Sequence, residues 1–289
     1  MRRCTRQSGM GKIGMIYLSS FKLTEEKVNN PNLYPYNVFQ RKNVLPFVFT
    51  PITVLYGNNG SGKSTLLNIM ANKLELKGKE YVTSNSFGIV DYCYRFSKGC
   101  GYTYGDDEYG QEYKRLPANS RYIKSEDILY EIKKIQQRQV LEDGMEYDLV
   151  KNGLSLAEAT EYLQSKEGQL QQGYIEFAQE KYSNGETSLQ YLEEYLQPDA
   201  LYLLDEPEVS LSPQNQVKLA KEINHMTRFL NCQFIIATHS PFMLGTLNAK
   251  IYNIDTADYE VQNWSELENV RYFYDFFKER ESEFENELE

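Results

Sequence analysis

The chain has 289 residues, with 31 Lys and Arg against 41 Asp and Glu for a net charge of −10, and it is 41% hydrophobic and 25% charged. That length buries a core in one large domain or two modest ones, and the composition excludes a wholly disordered or collagen-like chain. An acidic chain repels phosphate at long range, so grip on a polyanion has to come from a local patch.

Residues 1–12 hold four basic and no acidic side chains. They have no apolar stretch of a secretory leader behind them and are expected to be a disordered extension. Gly14–Leu23 and Val44–Tyr56 are rich in β-formers and read as two strands, the second running into a glycine turn. Beyond the turn, Leu66, Leu67, Ile69, Met70 and Leu74 recur at helical spacing. Strand, glycine turn and helix make the opening unit of an α/β domain. Residues 96–113 interleave Gly99, Gly101, Gly105 and Gly110 with Tyr102, Tyr104, Tyr109 and Tyr113, beside Asp106-Asp107-Glu108. The glycines predict a mobile loop; its tyrosines could stack on bases, but the acids oppose phosphate.

Arg121–Lys124 reads as a short strand, and Ser125, with acidic residues after it, as a helix N-cap. Helical segments extend to about residue 181. From Ala200 the pattern returns to α/β, with strands over 200–204, 233–237 and 249–254 and a helix near 213–229. Phe273, Phe276, Phe277, Phe284 and Leu288 then fall at roughly helical spacing, a closing amphipathic helix over 266–289 whose glutamates form a solvated face. The expected fold is α/β: a core of residues 13–124 and 200–289 around one mixed or parallel sheet, interrupted by a helical subdomain over 125–199.

No run approaches the roughly 18 apolar residues of a membrane span. Four scattered cysteines, Cys4, Cys93, Cys100 and Cys232, make no disulfide framework, and with two histidines in the chain they make no zinc site. A reducing, cytoplasmic location is expected.

Two motifs carry chemistry. Gly57-Asn58-Asn59-Gly60-Ser61-Gly62-Lys63-Ser64 satisfies the phosphate-loop pattern, with Thr65 and an apolar helix after it. Glycines let backbone N–H groups converge on phosphate oxygens and the helix N-terminus adds positive potential. Lys63 offsets β/γ charge and Ser64 can coordinate Mg²⁺. Leu201-Tyr202-Leu203-Leu204-Asp205-Glu206 is an apolar strand ending in two acids that strand periodicity points to different neighbours. Asp205 would reach the magnesium shell, and Glu206 would orient or deprotonate an attacking water.

Tyr182-Ser183-Asn184-Gly185-Glu186 precedes that acidic strand and Ala237-Thr238-His239-Ser240-Pro241 follows it, and this order of motifs resembles an ABC-class ATPase. The resemblance implies an enzyme that binds and hydrolyses ATP with Mg²⁺, Lys63, Glu206 and His239 being catalytic and His239 the γ-phosphate sensor. It also implies a homodimer closed head to tail over two nucleotides, with Ser183, Asn184, Gly185 and Glu186 of one copy covering phosphates held by the other. The residues agree: a Ser hydroxyl and backbone amides opening a helix over 187–192 make an anion site. Each copy's own loop already holds its phosphates, so this second set serves another molecule's ATP. Asn184 stands where the class more often has glycine, and Asn tolerates left-handed backbone.

Asp205-Glu206-Pro207-Glu208 with Leu211, Pro213 and Gln216, and Thr238–Phe242, is similar to the soluble RecF-, OLD- and SMC-like branch more than to transporter subunits. About 117 residues separate phosphate loop from signature, too few for long coiled-coil arms, and no appended nuclease domain is expected. Transporter-type members carry a magnesium-linked glutamine where core meets insertion. Here Ser125-Glu126-Asp127 holds that junction, where Ser125 and Asp127 could bind magnesium directly or through water, the alternative being that Ser125 is only a helix cap. The branch implies action on DNA or on a separately encoded effector, as in repair or antiphage defence. Two other readings stay open: the ATP-binding subunit of a membrane transporter, and an ATP-gated clamp with negligible turnover. Lys133, Lys134 and Arg138 share one predicted helix, compatible with DNA or with a solvated face.

Overall fold

The computed structural model describes residues 14–30, 32–40, 42, 45–80, 92–107, 109–125, 165, 195–209 and 211–285. The extension over 1–12, the signature Ser183–Glu186, the basic cluster Lys133, Lys134 and Arg138, and Glu126 and Asp127 lie outside them. The described residues fall in two compact units. One holds those up to Ile123, Gln197–Glu208 and those from Gln216 onward; the other holds Lys124, Ser125, Ser165, Tyr195, Leu196, Val209 and Leu211–Asn215. The candidate site lies in the first.

In chain order the elements are β1 (Leu18–Lys22), α1 (Tyr36–Phe39), β2 (Phe47–Val48), β3 (Ile52–Tyr56), α2 (Lys63–Lys73), α3 (Tyr92–Gly99), β4 (Gly101–Tyr104), β5 (Arg121–Lys124) and β6 (Ala200–Asp205). There follow α4 (Pro213–Phe229), β7 (Cys232–Ala237), α5 (Pro241–Thr246), β8 (Lys250–Asn253), β9 (Glu260–Val261), a 3₁₀ turn (Trp264–Glu266), α6 (Glu268–Lys278) and α7 (Glu281–Glu285).

The larger sheet runs β5-β6-β7-β3-β8-β9. β6, β7, β3 and β8 are parallel neighbours, and β9 closes the edge antiparallel to β8. Every residue of β3, β6 and β7 is buried, as expected of parallel strands covered on both faces, which is why these segments read as apolar runs without alternation. One face, with Leu55, Leu201, Leu203, Ile235 and Ala237, packs in a core with Leu66, Leu67, Ile69 and Met70 of α2. Full burial of each such leucine contributes roughly 2 kcal/mol. The alternate residues point the other way, where the Tyr202 ring stacks on Phe234 at 5.3 Å.

Val44–Tyr56 is not one strand. It breaks at Thr50-Pro51 into β2, in a small antiparallel sheet ordered β2-β1-β4, and β3, in the large one. Proline donates no ladder hydrogen bond. Thr50 Oγ1 donates to Ile52 O (2.6 Å), Thr50 N donates to Thr53 Oγ1 (3.0 Å), and Pro51 O accepts from Phe234 N (2.9 Å). The break thus delivers the chain to β7. The strand expected over Gly14–Leu23 shortens to Leu18–Lys22 and is tied to the large sheet by Gln233 of β7, fully buried in an otherwise apolar strand. Its Oε1 accepts from Tyr17 N (2.8 Å) and Leu18 N (2.9 Å), and its Nε2 donates to Leu18 O (2.8 Å) and Thr50 O (3.3 Å). A buried amide with all its bonding capacity used is a specific clamp.

Residues 96–113 are more ordered than the loop their glycines predict. α3 ends at Gly99, and β4 pairs antiparallel with β1, setting Phe21 opposite Tyr102 and Lys22 opposite Gly101. Gly105 is required for close approach, because a Cβ there would stand 2.0 Å from Ile16 O. The alternation of Gly101-Tyr102-Thr103-Tyr104 is strand chemistry that the glycine count concealed. At the other end, the closing helix is split into α6 and α7, and Phe273, Phe276, Phe277 and Phe284 are all exposed.

Candidate functional site

Parallel β3, β6, β7 and β8 all end at the same edge of the sheet, so the loops that follow them are neighbours however far apart they lie in sequence. The register sets Asp205 beside Ala237, Leu55 beside the same Ala237, and Tyr56 beside Asn253. The chain then turns at Gly57, Glu206, Thr238 and Ile254 respectively.

After β3 come Gly57–Gly62. Gly62 is left-handed (φ 97°), and a Cβ on it would lie 2.5 Å from Val38 Cγ1. Gly60 is also left-handed (φ 80°). Gly57 packs so tightly that a Cβ would meet Ser61 Oγ at 2.7 Å and Ile254 Cγ1 at 2.9 Å. α2 starts from Gly62 with no side-chain cap. Its first-turn amides therefore remain available to an anion. Ser61 Oγ is buried with no hydrogen-bond partner among the described residues, an orphan that a phosphate oxygen would satisfy. Asn58 N is already committed, donating to Asp255 Oδ2 (2.9 Å). Asn59 is exposed on the turn. Thr65 Oγ1 accepts from Tyr34 OH (3.2 Å).

Lys63 is buried. Its Nζ donates to Gly57 O (2.8 Å) and Asn58 O (3.1 Å) and lies 3.6 Å from Glu206 Oε1. Ser64 Oγ donates to Asp205 Oδ1 (3.1 Å), and Tyr122 OH of β5 donates to Asp205 Oδ2 (3.1 Å). Burial raises the Asp205 carboxyl above the ordinary carboxylate range, against the two hydroxyl donors, which lower it. Ser64 and Asp205 form a pair of hard oxygens at a buried anion that gains from a divalent cation; the donor set fits Mg²⁺.

Glu206 follows directly in the left-handed region (φ 46°), a conformation that costs a non-glycine residue about 1 kcal/mol. It is held there by its own N–H, which donates to Ala237 O (2.9 Å). The Glu206 side chain lies beside His239, whose Nδ1 is 3.3 Å from Glu206 Oε1 without the angle of a hydrogen bond. Asn269 fastens the histidine's backbone by donating from Nδ2 to His239 O (2.6 Å), while Asn269 N donates to Tyr56 OH (3.2 Å).

The structure therefore brings together Lys63, Ser64, Asp205, Glu206 and His239 around the loop Gly57–Thr65. Ser125 belongs to the other compact unit. His225 sits exposed on α4, 3.5 Å from Glu222. Sequence reasoning missed four contributors. Tyr122 is a buried tyrosine with its hydroxyl on an acid. Asp255 follows a strand at the same sheet edge as the other site residues, which is the signal that would have found it. Lys42 gives no signal in sequence, yet its Nζ donates to Ile254 O, Asp255 O and Thr256 O at 2.8–3.0 Å and so braces the Asp255 turn behind the phosphate loop. The fourth is Glu208, quoted in the motif without a role.

Over residues 94–245 the sequence matches the family described as "AAA domain, putative AbiEii toxin, Type IV TA system", a span of more than half the chain. The chain belongs to this AAA-domain family. The match starts beyond the phosphate loop and takes in the acidic strand and the histidine segment, so the loop, lying outside the matched span, and the family agree independently on a P-loop nucleotide-binding fold. No curated protein matches the sequence. Among solved structures, the chain is similar to an Smc head domain with an extended coiled coil bound to the C-terminal domain of ScpA, from Pyrococcus furiosus (13% identity, 92% of this chain and 100% of that one, TM-score 0.40). It is also similar to the SMC head domain from Thermotoga maritima (12%, 86% and 99%, TM-score 0.38). A nucleotide-free ATP-binding cassette from an ABC transporter matches at 14% identity over 81% of this chain and 87% of that one, TM-score 0.36. Among the described residues no helix is long and apolar enough to cross a membrane.

Proposed function

We propose that this AAA-domain protein hydrolyses ATP at the strand-end edge, closing head to tail on a second copy when ATP is bound and reopening after hydrolysis. The observation that carries the reading is the meeting of Lys63, Ser64, Asp205, Glu206 and His239, drawn from three separate strand ends, around one uncapped helix N-terminus.

Each residue has a task its chemistry suits. The loop amides and the α2 N-terminus bind the phosphates, and Gly57, Gly60 and Gly62 keep the backbone close enough to do so. Lys63, now resting on two carbonyls and Glu206, offers its charge to the β/γ oxygens when phosphate competes for it. Ser64 and Asp205 would hold Mg²⁺, which would neutralise phosphate charge where it is bound. Glu206, angled out of the strand, takes the proton of the attacking water. His239 beside it contacts the γ-phosphate end and reports whether it is present. Ser183, Asn184, Gly185 and Glu186 of the second copy complete the phosphate contacts, so occupancy and dimerisation are one event. A change of assembly driven by ATP can act on DNA or power a separately encoded effector, in repair or antiviral defence in the cytoplasm.

Removing the proton acceptor while keeping the shape separates closure from chemistry. Glu206→Gln with ATP and Mg²⁺ should double in mass by light scattering, and Ser183→Ala in that background should return it to monomer. A mass that ignores ATP would contradict the cycle. Phosphate release measured with and without DNA then distinguishes an enzyme stimulated by DNA from a clamp that hardly turns over.

A further inference from the structure

Glu208 lies two residues beyond Glu206 and, unlike most carboxylates, is buried at 5% exposure. Its Oε1 accepts from Thr238 Oγ1 (2.5 Å) and from His239 N (3.3 Å), and it stands 3.9 Å from His239 Nδ1. Its Oε2 is buried with no hydrogen-bond partner among the described residues. Burial raises its carboxyl above the usual range, as a carboxyl with one unanswered oxygen should behave. Leaving a polar atom in this state carries a desolvation cost that a surface glutamate would avoid.

The contacts Glu208 makes say what that cost supports. Thr238 Oγ1, while donating to Glu208, accepts from Ser240 N (3.1 Å). Ser240 Oγ in turn donates to Gln216 Oε1 (2.5 Å) and accepts from Met243 N (3.2 Å), capping α5. One carboxylate oxygen therefore sits at the head of a chain of bonds that shapes residues 238–240. On the other strand, Glu206 N donates to Ala237 O. The acidic segment after β6 and the histidine segment after β7 are thus joined twice, by a backbone bond at Glu206 and by the Glu208 side chain. The two side chains facing each other across this join are Glu206 and His239, 3.3 Å apart.

We propose that Glu208 is a positioning residue: it locks the Thr238–Ser240 segment to the acidic strand and so fixes the His239 ring against Glu206. The inference deepens the hydrolytic reading above and rests on it for its kinetic consequence, though not for its geometric one. The groups facing Glu208 are Thr238 and His239, with Glu206 across the histidine, so its effect passes through the switch segment rather than through direct contact with nucleotide.

Three variants and two readouts test it. Glu208→Ala removes the acceptor, Glu208→Gln keeps an oxygen for Thr238 and His239, and Thr238→Val removes the donor while leaving the carboxyl in place. Binding of a fluorescent ATP analogue and steady-state phosphate release are measured on each. A displaced histidine should lower kcat by about a hundredfold in Glu208→Ala, with nucleotide affinity kept within about threefold, because the loss falls on the transition state alone. Glu208→Gln should restore most of that rate, and Thr238→Val should repeat the loss in weaker form. The second readout needs no hydrolysis. The chain has two histidines, so the imidazole signals in an NMR spectrum are those of His225 and His239. Glu208→Ala and Thr238→Val should move or broaden the His239 signal and leave that of His225 on α4 unchanged.

An unmoved His239 signal in both variants overturns the proposal, as does a Glu208→Ala enzyme with undiminished kcat. Loss of rate and affinity together, without rescue by glutamine, would reduce Glu208 to a folding role and overturn it too. If the wild-type chain releases no phosphate, the hydrolytic reading fails while the NMR comparison still decides the positioning claim. If Glu208→Ala does not fold, Thr238→Val carries both measurements.

Discussion

The phosphate-loop edge and the α6 helix show opposite uses of side chains that do not belong in an ordinary core. At the edge, Lys63, Asp205 and Glu208 are ionisable groups inside the protein, and each meets a group from a neighbouring strand end: Lys63 stands 3.6 Å from Glu206, Asp205 accepts from Ser64 and Glu208 accepts from Thr238. Along α6, Tyr272, Phe273, Tyr274, Phe276 and Phe277 are apolar groups facing outward, and Val270 is the buried residue of that helix. The exposed rings are partly covered by cations of the same segment: Arg271 and Lys278 stand over Tyr274, and Arg280 stands over Phe276 at 4.1 Å. Burying charge is expensive unless every partner is in place, so the edge is specified residue by residue. An exposed ring costs little, so α6 tolerates much more change.

That contrast gives a ranked set of expectations. The largest effect belongs to Lys63→Ala. It removes the buried cation while leaving the glycine backbone intact, and should weaken ATP binding on the order of a hundredfold, about 3 kcal/mol, by equilibrium titration. Retained affinity would mean that amides alone make the site and that Lys63 serves only to pin Gly57 and Asn58.

A middle-sized effect of unusual sign belongs to Asp205→Asn. The folded chain holds the Asp205 proton more tightly than the unfolded chain does. Its contribution to stability is therefore complete below the ordinary aspartate range and is lost as pH rises through the raised folded value. Asparagine removes that loss. The nucleotide-free variant should be more stable than wild type near neutral pH in denaturant unfolding, with the difference closing at acid pH. Turnover should fall sharply, and the gain in stability from added Mg²⁺ and ATP should shrink. A variant less stable than wild type at every pH would show that Asp205 is a structural anchor.

The smallest effect is on α6. Phe276→Ser and Phe277→Ser should each change unfolding free energy by less than about 0.5 kcal/mol, within the range of surface substitutions. A loss of several kcal/mol would remove the contrast altogether.

What could be read from the sequence divides along the same line. Helix 213–229 and the parallel strands β6, β7 and β8 were expected within a residue or two, because parallel strands buried on both faces and an amphipathic helix leave strong periodic signals, whereas the exposed two-residue β9 leaves none. The phosphate loop and acidic pair were visible because phosphate chemistry demands particular residues at particular spacing. Three features were hidden for different reasons. The break at Pro51 depends on which sheet accepts each half of Val44–Tyr56, a tertiary choice. β4 was hidden among glycines, two of which serve close packing rather than freedom: Gly99 against Thr24 and Gly105 against Ile16. Periodicity grouped the α6 phenylalanines on a helix, but it carries no information on whether anything covers them. Among site residues, Tyr122 and Lys42 act through hydrogen bonds to partners distant in sequence, and no local pattern marks them, whereas Asp255 is marked only by its place after a strand.

The central claim is that Glu206, held out of its strand beside His239, performs chemistry on a triphosphate that the loop and Lys63 only bind. Single-turnover phosphate release by the wild type and by Glu206→Gln, each saturated with ATP and Mg²⁺, tests it most directly. The account predicts a rate lower by about a hundredfold or more in the variant with ATP affinity unchanged. Equal rates in the two proteins would contradict it.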